Sequence, residues 1–175
     1  LFETMDDLDA SPELLKDFIN HPFTKRTLER QRQKGLKPSQ QVMLGYSDSN
    51  KDCGILAAAL ALFRAQRNMS AVAEEAQIKL TFFHGRGGTI SRGAGPTHWF
   101  VEALPHGSIS GAFRMTEQGE TIAQKYAHRS SATYNLELLL ACLTAGAAKH
   151  RFTQCDDDPC LPLIDQLARY SEQAY

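Results

Sequence analysis

The side chains of this chain best suited to chemistry are two carboxylates, one lysine, one histidine and two arginines. Glu3 and Asp48 are hard oxygen donors of the kind that hold Mg²⁺ or Mn²⁺, with waters and substrate completing an octahedron. Asp48 taken alone, in Ser47-Asp48-Ser49, is better explained as a helix cap. Lys51, three residues on, could meet an anion or stand in solvent. His84, Arg86 and Arg92 belong to Phe82-Phe83-His84-Gly85-Arg86-Gly87-Gly88-Thr89-Ile90-Ser91-Arg92-Gly93-Ala94-Gly95-Pro96, where five glycines and two arginines fall within eleven residues. Glycine lets a backbone approach a ligand closely, and arginine offers a planar, permanently charged fork to carboxylate or phosphate. The loop matches neither GxxxxGK[ST] nor GxGxxG, so it is not a common nucleotide loop. A solvated surface loop is the competing explanation. An RNA-binding RGG tract is the weaker one, because such tracts repeat and this one occurs once.

These residues need elements to place them. Apolar runs predict strands ending near Phe2, Tyr46, Phe83 and Met115, over residues 41–46, 78–83 and 109–115 for the last three. Each is followed by a polar or glycine-rich turn, so the chemical residues gather just after strand ends. His84 is expected directly after its strand. Helices are predicted from Ser11-Pro12 with a stripe of Leu14, Leu15, Phe18 and Ile19, then over residues 22–34, 53–76, 96–104, 121–126, 132–149 and 161–174. Residues 47–52 read as a polar turn. Repeated βα units with active residues at the C-terminal strand ends point to a helix-rich α/β chain. It would form part of a (β/α)8 (TIM-like) barrel with additional α-helices. Residues 1–130 would form the partial barrel and residues 131–175 the C-terminal helices. Because the chain opens on Leu1-Phe2-Glu3-Thr4, it reads as a piece of a longer polypeptide.

The remaining sequence narrows the choice. A net charge of −1 over 175 residues exerts no long-range pull on nucleic acid or anionic membrane, and no apolar run has transmembrane length. The basic stretch from Lys25 to Lys37 reads as a solvated helix face. Cys53, Cys142, Cys155 and Cys160 form no CxxC pair, which argues against zinc and for reduced thiols in a cytoplasmic setting. His21, His98, His106, His128 and His150 have no metal spacing. Asp156, Asp157 and Asp158 read as a solvated turn. Arg114, inside a strand, needs a partner, for which Glu117 or Glu120 is the expectation.

Four blocks in order carry a resemblance. Val42-Met43-Leu44-Gly45-Tyr46-Ser47-Asp48-Ser49-Asn50-Lys51-Asp52 and Phe83-His84-Gly85-Arg86-Gly87-Gly88 resemble phosphoenolpyruvate carboxylase. So do Leu1-Phe2-Glu3-Thr4-Met5-Asp6-Asp7-Leu8 and Arg114-Met115-Thr116-Glu117-Gln118-Gly119-Glu120. The resemblance implies a cytoplasmic homotetramer built on a β/α barrel. It implies that bicarbonate and phosphoenolpyruvate give oxaloacetate and phosphate through carboxyphosphate and enolate. It implies Mg²⁺ or Mn²⁺ on Glu3 and Asp48, and the substrate phosphate on Arg86. Lys51 and His84 match positions that handle anion and CO₂, with Gly85, Gly87 and Gly88 lining the substrate. Arg92 matches a mobile-loop arginine that also binds dicarboxylate inhibitors. The catalytic set so implied is Lys51, His84, Arg86 and Arg92.

The chain also departs from the family. Ser91-Arg92-Gly93-Ala94 stands where Gly-Arg-Gly-Gly is usual, Asn50 where Ala or Gly is common, and Cys53 where Ala is. The catalytic histidine motif Thr-x-His-Pro-Thr does not occur in these residues. The expectation is therefore part of an active site, inactive by itself. Two rivals are a divergent paralogue acting as an anion-binding or regulatory module, and another Mg-dependent barrel enzyme acting on a phosphorylated enol.

Overall fold

In the computed structural model, which describes residues 1–89, 93–153 and 159–175, the first helix α1 spans Met5–Asn20 and so starts before the predicted Ser-Pro signal. Thr4 and Asp7 explain the earlier start. The Asp7 amide donates to Thr4 Oγ1 at 3.2 Å and the Thr4 amide to Asp7 Oδ2 at 3.4 Å, a capping box that satisfies donors at both ends of the first turn. Pro12 then falls inside the helix and cannot donate to the Leu8 carbonyl. The buried Ser11 hydroxyl does so instead, at 2.7 Å. The apolar stripe shifts accordingly. Leu8, Leu15 and Ile19 are buried, whereas Leu14 and Phe18 face outward. Helix α2, Pro22–Gln33, follows as read, with Leu28 buried and its basic side chains on the open side.

Strand β1, Ser39–Gly45, leads into α3, Ser47–Glu75. The expected polar turn at residues 47–52 is thus helical. Gly54, at φ 77° and ψ 165°, breaks α3 behind this first segment, and the Tyr175 ring lies where a Cβ of residue 54 would point. The break gives Asp48 and Lys51 a short helical platform of their own. Beyond it, alanines let α3 pack closely against α1 and the sheet. Leu62, Ala65, Met69 and Ala73 join Leu8, Leu15, Leu44 and Phe82 in the core.

Strand β2, Lys79–Gly85, pairs in parallel with β1 from Ser39↔Lys79 to Gly45↔Gly85. Strand β3 is only Arg114–Met115, paired with Phe83 and His84. The predicted strand over residues 109–115 fails at Gly111, whose φ of 80° interrupts the extended backbone, and the Ser110 hydroxyl rather than a backbone group reaches the Leu80 carbonyl. The predicted strand end at Phe2 is a single parallel bridge to Leu44. One row therefore crosses the sheet as Phe2, Leu44, His84 and Met115, with every strand running the same way. Among the described residues this is a small parallel sheet in a helix-rich chain, and its arc does not close.

Helices α4 (Thr97–Glu102), α5 (Gly119–Tyr126), α6 (Arg129–Phe152) and α7 (Leu161–Ala174) complete the chain. Helix α7 packs on α3, with Ala168 in a second cluster around Cys53, Ala57, Ala58 and Leu60 and an Arg64–Asp165 ion pair beside it. No helix among the described residues is long and apolar enough to cross a membrane.

Candidate active site

Parallel register decides which residues meet. In the strands the side chains alternate, so Val42, Leu44 and Tyr46 of the β1 stretch are buried with Leu80, Phe82 and His84 of β2. Residues just past the row Phe2–Leu44–His84–Met115 collect at the C-terminal edge of the sheet. These are Glu3, the 46–48 segment, Arg86 and Glu117. Ligands of parallel α/β sheets bind at this edge.

His84 is not in the loop but within β2, and it is only 2% exposed. Its Nδ1 lies 2.9 Å from the Tyr46 hydroxyl, and Phe100 and Phe113 pack on the ring at centroid distances of 4.9 and 5.3 Å. Burial, reinforced by the neighbouring Arg86 charge, pulls its pKa down to about 3, so the ring is neutral at physiological pH. Burial likewise pushes the Tyr46 phenol above its ordinary value, against the pull of Arg86. The linkage has a defined sign. The folded pKa of His84 lies below the unfolded value of 6.5, so the unfolded chain takes up the extra proton. Its contribution to stability is complete above about pH 6.5 and is lost as pH falls toward about 3. Urea unfolding across that window is expected to show a slope of about 1.4 kcal/mol per pH unit from this residue, which His84→Gln removes. Equal slopes in both proteins would exclude His84 as the source.

Arg86 is 4% exposed. Its Nε donates to the Gly93 carbonyl at 2.6 Å, its second terminal nitrogen to the Gly95 carbonyl at 3.1 Å, and its guanidinium lies 4.2 Å from the Phe100 ring centroid. Burial lowers its pKa, opposed by Tyr46 and Glu117. In this structure the expected anion fork thus grips its own glycine loop.

The glycines divide by role. A Cβ on Gly85 would stand 2.9 Å from the Leu44 carbonyl oxygen, so glycine is needed there for strand approach. A Cβ on Gly88 would run into the Glu120 carboxylate, so glycine lets that side chain pass. Gly87 is half-buried between Arg86 and Gly88. Arg92, the remaining predicted site residue, lies outside the described residues, as do Cys155 and Asp156–Asp158.

Glu3 and Asp48 stand on neighbouring stretches of the same edge. The Glu3 side chain passes over Gly45, where a Cβ would be 2.7 Å from Glu3 Cγ. Asp48 is not a cap. Lys51 Nζ lies 3.0 Å from Asp48 Oδ1 across one helical turn, with the Lys51 and Asp48 side chains 66% and 47% exposed. Such an open pair contributes little to stability and leaves both groups available to other partners. Among the described residues no three His, Cys, Asp or Glu side chains cluster as a metal cage. Two water-accessible carboxylates nevertheless fit Mg²⁺, which is commonly held by one or two carboxylates with waters and substrate phosphate.

Arg114 takes neither expected acid. Its guanidinium donates to Gln41 Oε1 at 2.9 Å and lies over Phe83. Glu117 is claimed by Lys125, whose Nζ is 2.6 Å from Oε1 and which also donates to Thr97 Oγ1 at 2.9 Å. Tyr46, Phe100 and Lys125, which no motif marks, complete the contacts around His84, Arg86 and Glu117. Tyr46 had a signal, since alternation from Val42 and Leu44 puts it on the buried face next to the strand carrying His84.

The fold and this edge define an α/β protein with acidic and basic groups collected at the C-terminal ends of parallel strands. The family model described as phosphoenolpyruvate carboxylase matches residues 1–175. The chain belongs to that family.

Proposed function

We propose that this chain supplies one rim of the site at which phosphoenolpyruvate carboxylase joins bicarbonate to phosphoenolpyruvate. Family membership over the whole chain, together with the placing of Glu3, Asp48, His84 and Arg86 at one sheet edge, carries the reading. The parallel sheet is then one arc of the eight-stranded barrel. Arg86 receives the phosphate in exchange for its loop carbonyls, and Lys51 leaves Asp48 to meet an anion. His84, being neutral, steadies CO₂ or carboxylate by hydrogen bonding and does not carry charge there. Gly85, Gly87 and Gly88 keep the loop close enough for that exchange. Glu3 and Asp48 would hold Mg²⁺ or Mn²⁺, which supplies charge neutralisation when bound. Arg92 contributes through the family resemblance, on the substrate side and toward dicarboxylate inhibitors. The reaction makes carboxyphosphate and enolate, and CO₂ released from the former is attacked by the latter to give oxaloacetate and phosphate. These residues would work within a longer cytoplasmic homotetramer and be inactive alone, since the Thr-x-His-Pro-Thr histidine is not among them.

Asp48→Ala in the full-length carboxylase is expected to abolish metal-dependent oxaloacetate formation. A Mg²⁺ dependence identical to that of the parent enzyme would take Asp48 out of this role. Oxaloacetate formation by the 175 residues alone would overturn the claim that they are inactive by themselves.

A further inference from the structure

We propose that Tyr46 is the positioning residue of this site, fixing His84 in the tautomer that carries its proton on Nε2 and seating the glycine loop at Gly93. Two independent observations converge on its side chain. The hydroxyl lies 2.9 Å from His84 Nδ1. The ring occupies the space beside Gly93, where a Cβ would come within 2.8 Å of Tyr46 Cδ1. Gly93 in turn offers its carbonyl to Arg86 Nε at 2.6 Å. Tyr46 therefore touches His84 directly and reaches Arg86 through one glycine.

The direction of the Tyr46–His84 bond follows from counting donors. Were Nδ1 to carry the proton and donate to the phenol oxygen, the buried phenol O–H would need another acceptor. Among the described residues the Tyr46 hydroxyl has His84 alone as hydrogen-bond partner. A buried, unmatched O–H is costly, so the phenol donates and Nδ1 accepts. Neutral His84 then holds its remaining proton on Nε2. Phe100 and Phe113 hold the ring plane. Such a histidine serves an oxyanion or a CO₂ oxygen only as a hydrogen-bond donor at Nε2. It cannot act as a base through Nε2, which has no free lone pair.

This rests on the carboxylase reading for its catalytic consequence but not for the tautomer. Nitrogen NMR of the 175-residue chain labelled in its histidines is expected to show His84 with a bare, hydrogen-bonded Nδ1 and a protonated Nε2 from about pH 5 to 8. In Tyr46→Phe, which keeps the ring beside Gly93, the two tautomers are expected to mix. A proton on Nδ1 in the parent chain, or an unchanged tautomer in Tyr46→Phe, would overturn the proposal. In the full-length carboxylase the same variant is expected to lower kcat about 10–100-fold with little change in KM for phosphoenolpyruvate. An unaltered kcat alongside a mixed tautomer would remove the catalytic half. A parent full-length protein without carboxylase activity would count against the functional reading while leaving the NMR result decisive for the tautomer.

Discussion

Replacing Arg86 by alanine is expected to lower the unfolding free energy by about 2–4 kcal/mol, and replacing it by lysine to lose most of the same amount. The side chain is almost wholly buried and makes two hydrogen bonds to loop carbonyls while stacking on Phe100. Hydrogen bonds to a charged donor contribute about 1.5–3 kcal/mol each, against which stands the relief of no longer burying a cation. Lysine keeps the charge but has no planar fork. It cannot reach two carbonyls and lie flat on an aromatic ring at once. Urea unfolding of the three proteins measures this directly. A loss below about 0.5 kcal/mol for alanine would mean that the loop does not depend on the guanidinium. In the full-length carboxylase both variants are expected to be unable to use phosphoenolpyruvate, because the fork that holds the loop is also the one proposed for the phosphate. Activity in the lysine variant near that of the parent would separate the two roles.

How far such a site can be read from sequence depends on the kind of constraint. The gathering of Glu3, Asp48, His84 and Arg86 follows from polar residues repeatedly placed after apolar runs, and parallel pairing turned that repetition into one edge. The offset of His84 was less legible. A histidine after Phe82-Phe83 looks like the first loop residue, yet strict alternation from Leu80 and Phe82 makes it the next inward position, and burial there removes its charge. Residues 47–52 form the start of α3 although they look like a turn, because Ser, Asp and Asn favour both turns and helix starts. Only Gly54 downstream, with its positive φ, tells where the helix breaks. Partners across the fold were least legible of all. Nothing near Arg114 in the sequence singles out Gln41, and nothing near Lys125 singles out Thr97, 28 residues away.

The second large effect is expected at Gly93, and a second glycine isolates its cause. Gly93 and Gly111 both have φ +80°, so alanine at either meets the same backbone penalty, about 1–2 kcal/mol. At Gly111 nothing lies within 4 Å of the added Cβ, and stability should fall by that amount alone. At Gly93 the Cβ would stand 2.8, 2.9 and 3.0 Å from Tyr46 Cδ1, Cβ and Cγ, so either the ring or the loop must move. The ring is tied by its hydroxyl to His84 and packed edge-on against Phe100. The loop is the part that gives way, carrying the Gly93 carbonyl off Arg86. A displacement of about 1 Å in a reacting constellation can cost about 100-fold in rate, and that loss is expected for Gly93→Ala in the full-length carboxylase, with Gly111→Ala near the parent. Equal activities for the two variants would show that the contact with Tyr46 has no part in placing Arg86. The same geometry accounts for the neighbouring departure from the family pattern. Ala94, unlike Gly93, has no positive φ, and its amide donates to the Thr89 carbonyl at 2.8 Å, so a methyl group is tolerated one residue away from where it is forbidden.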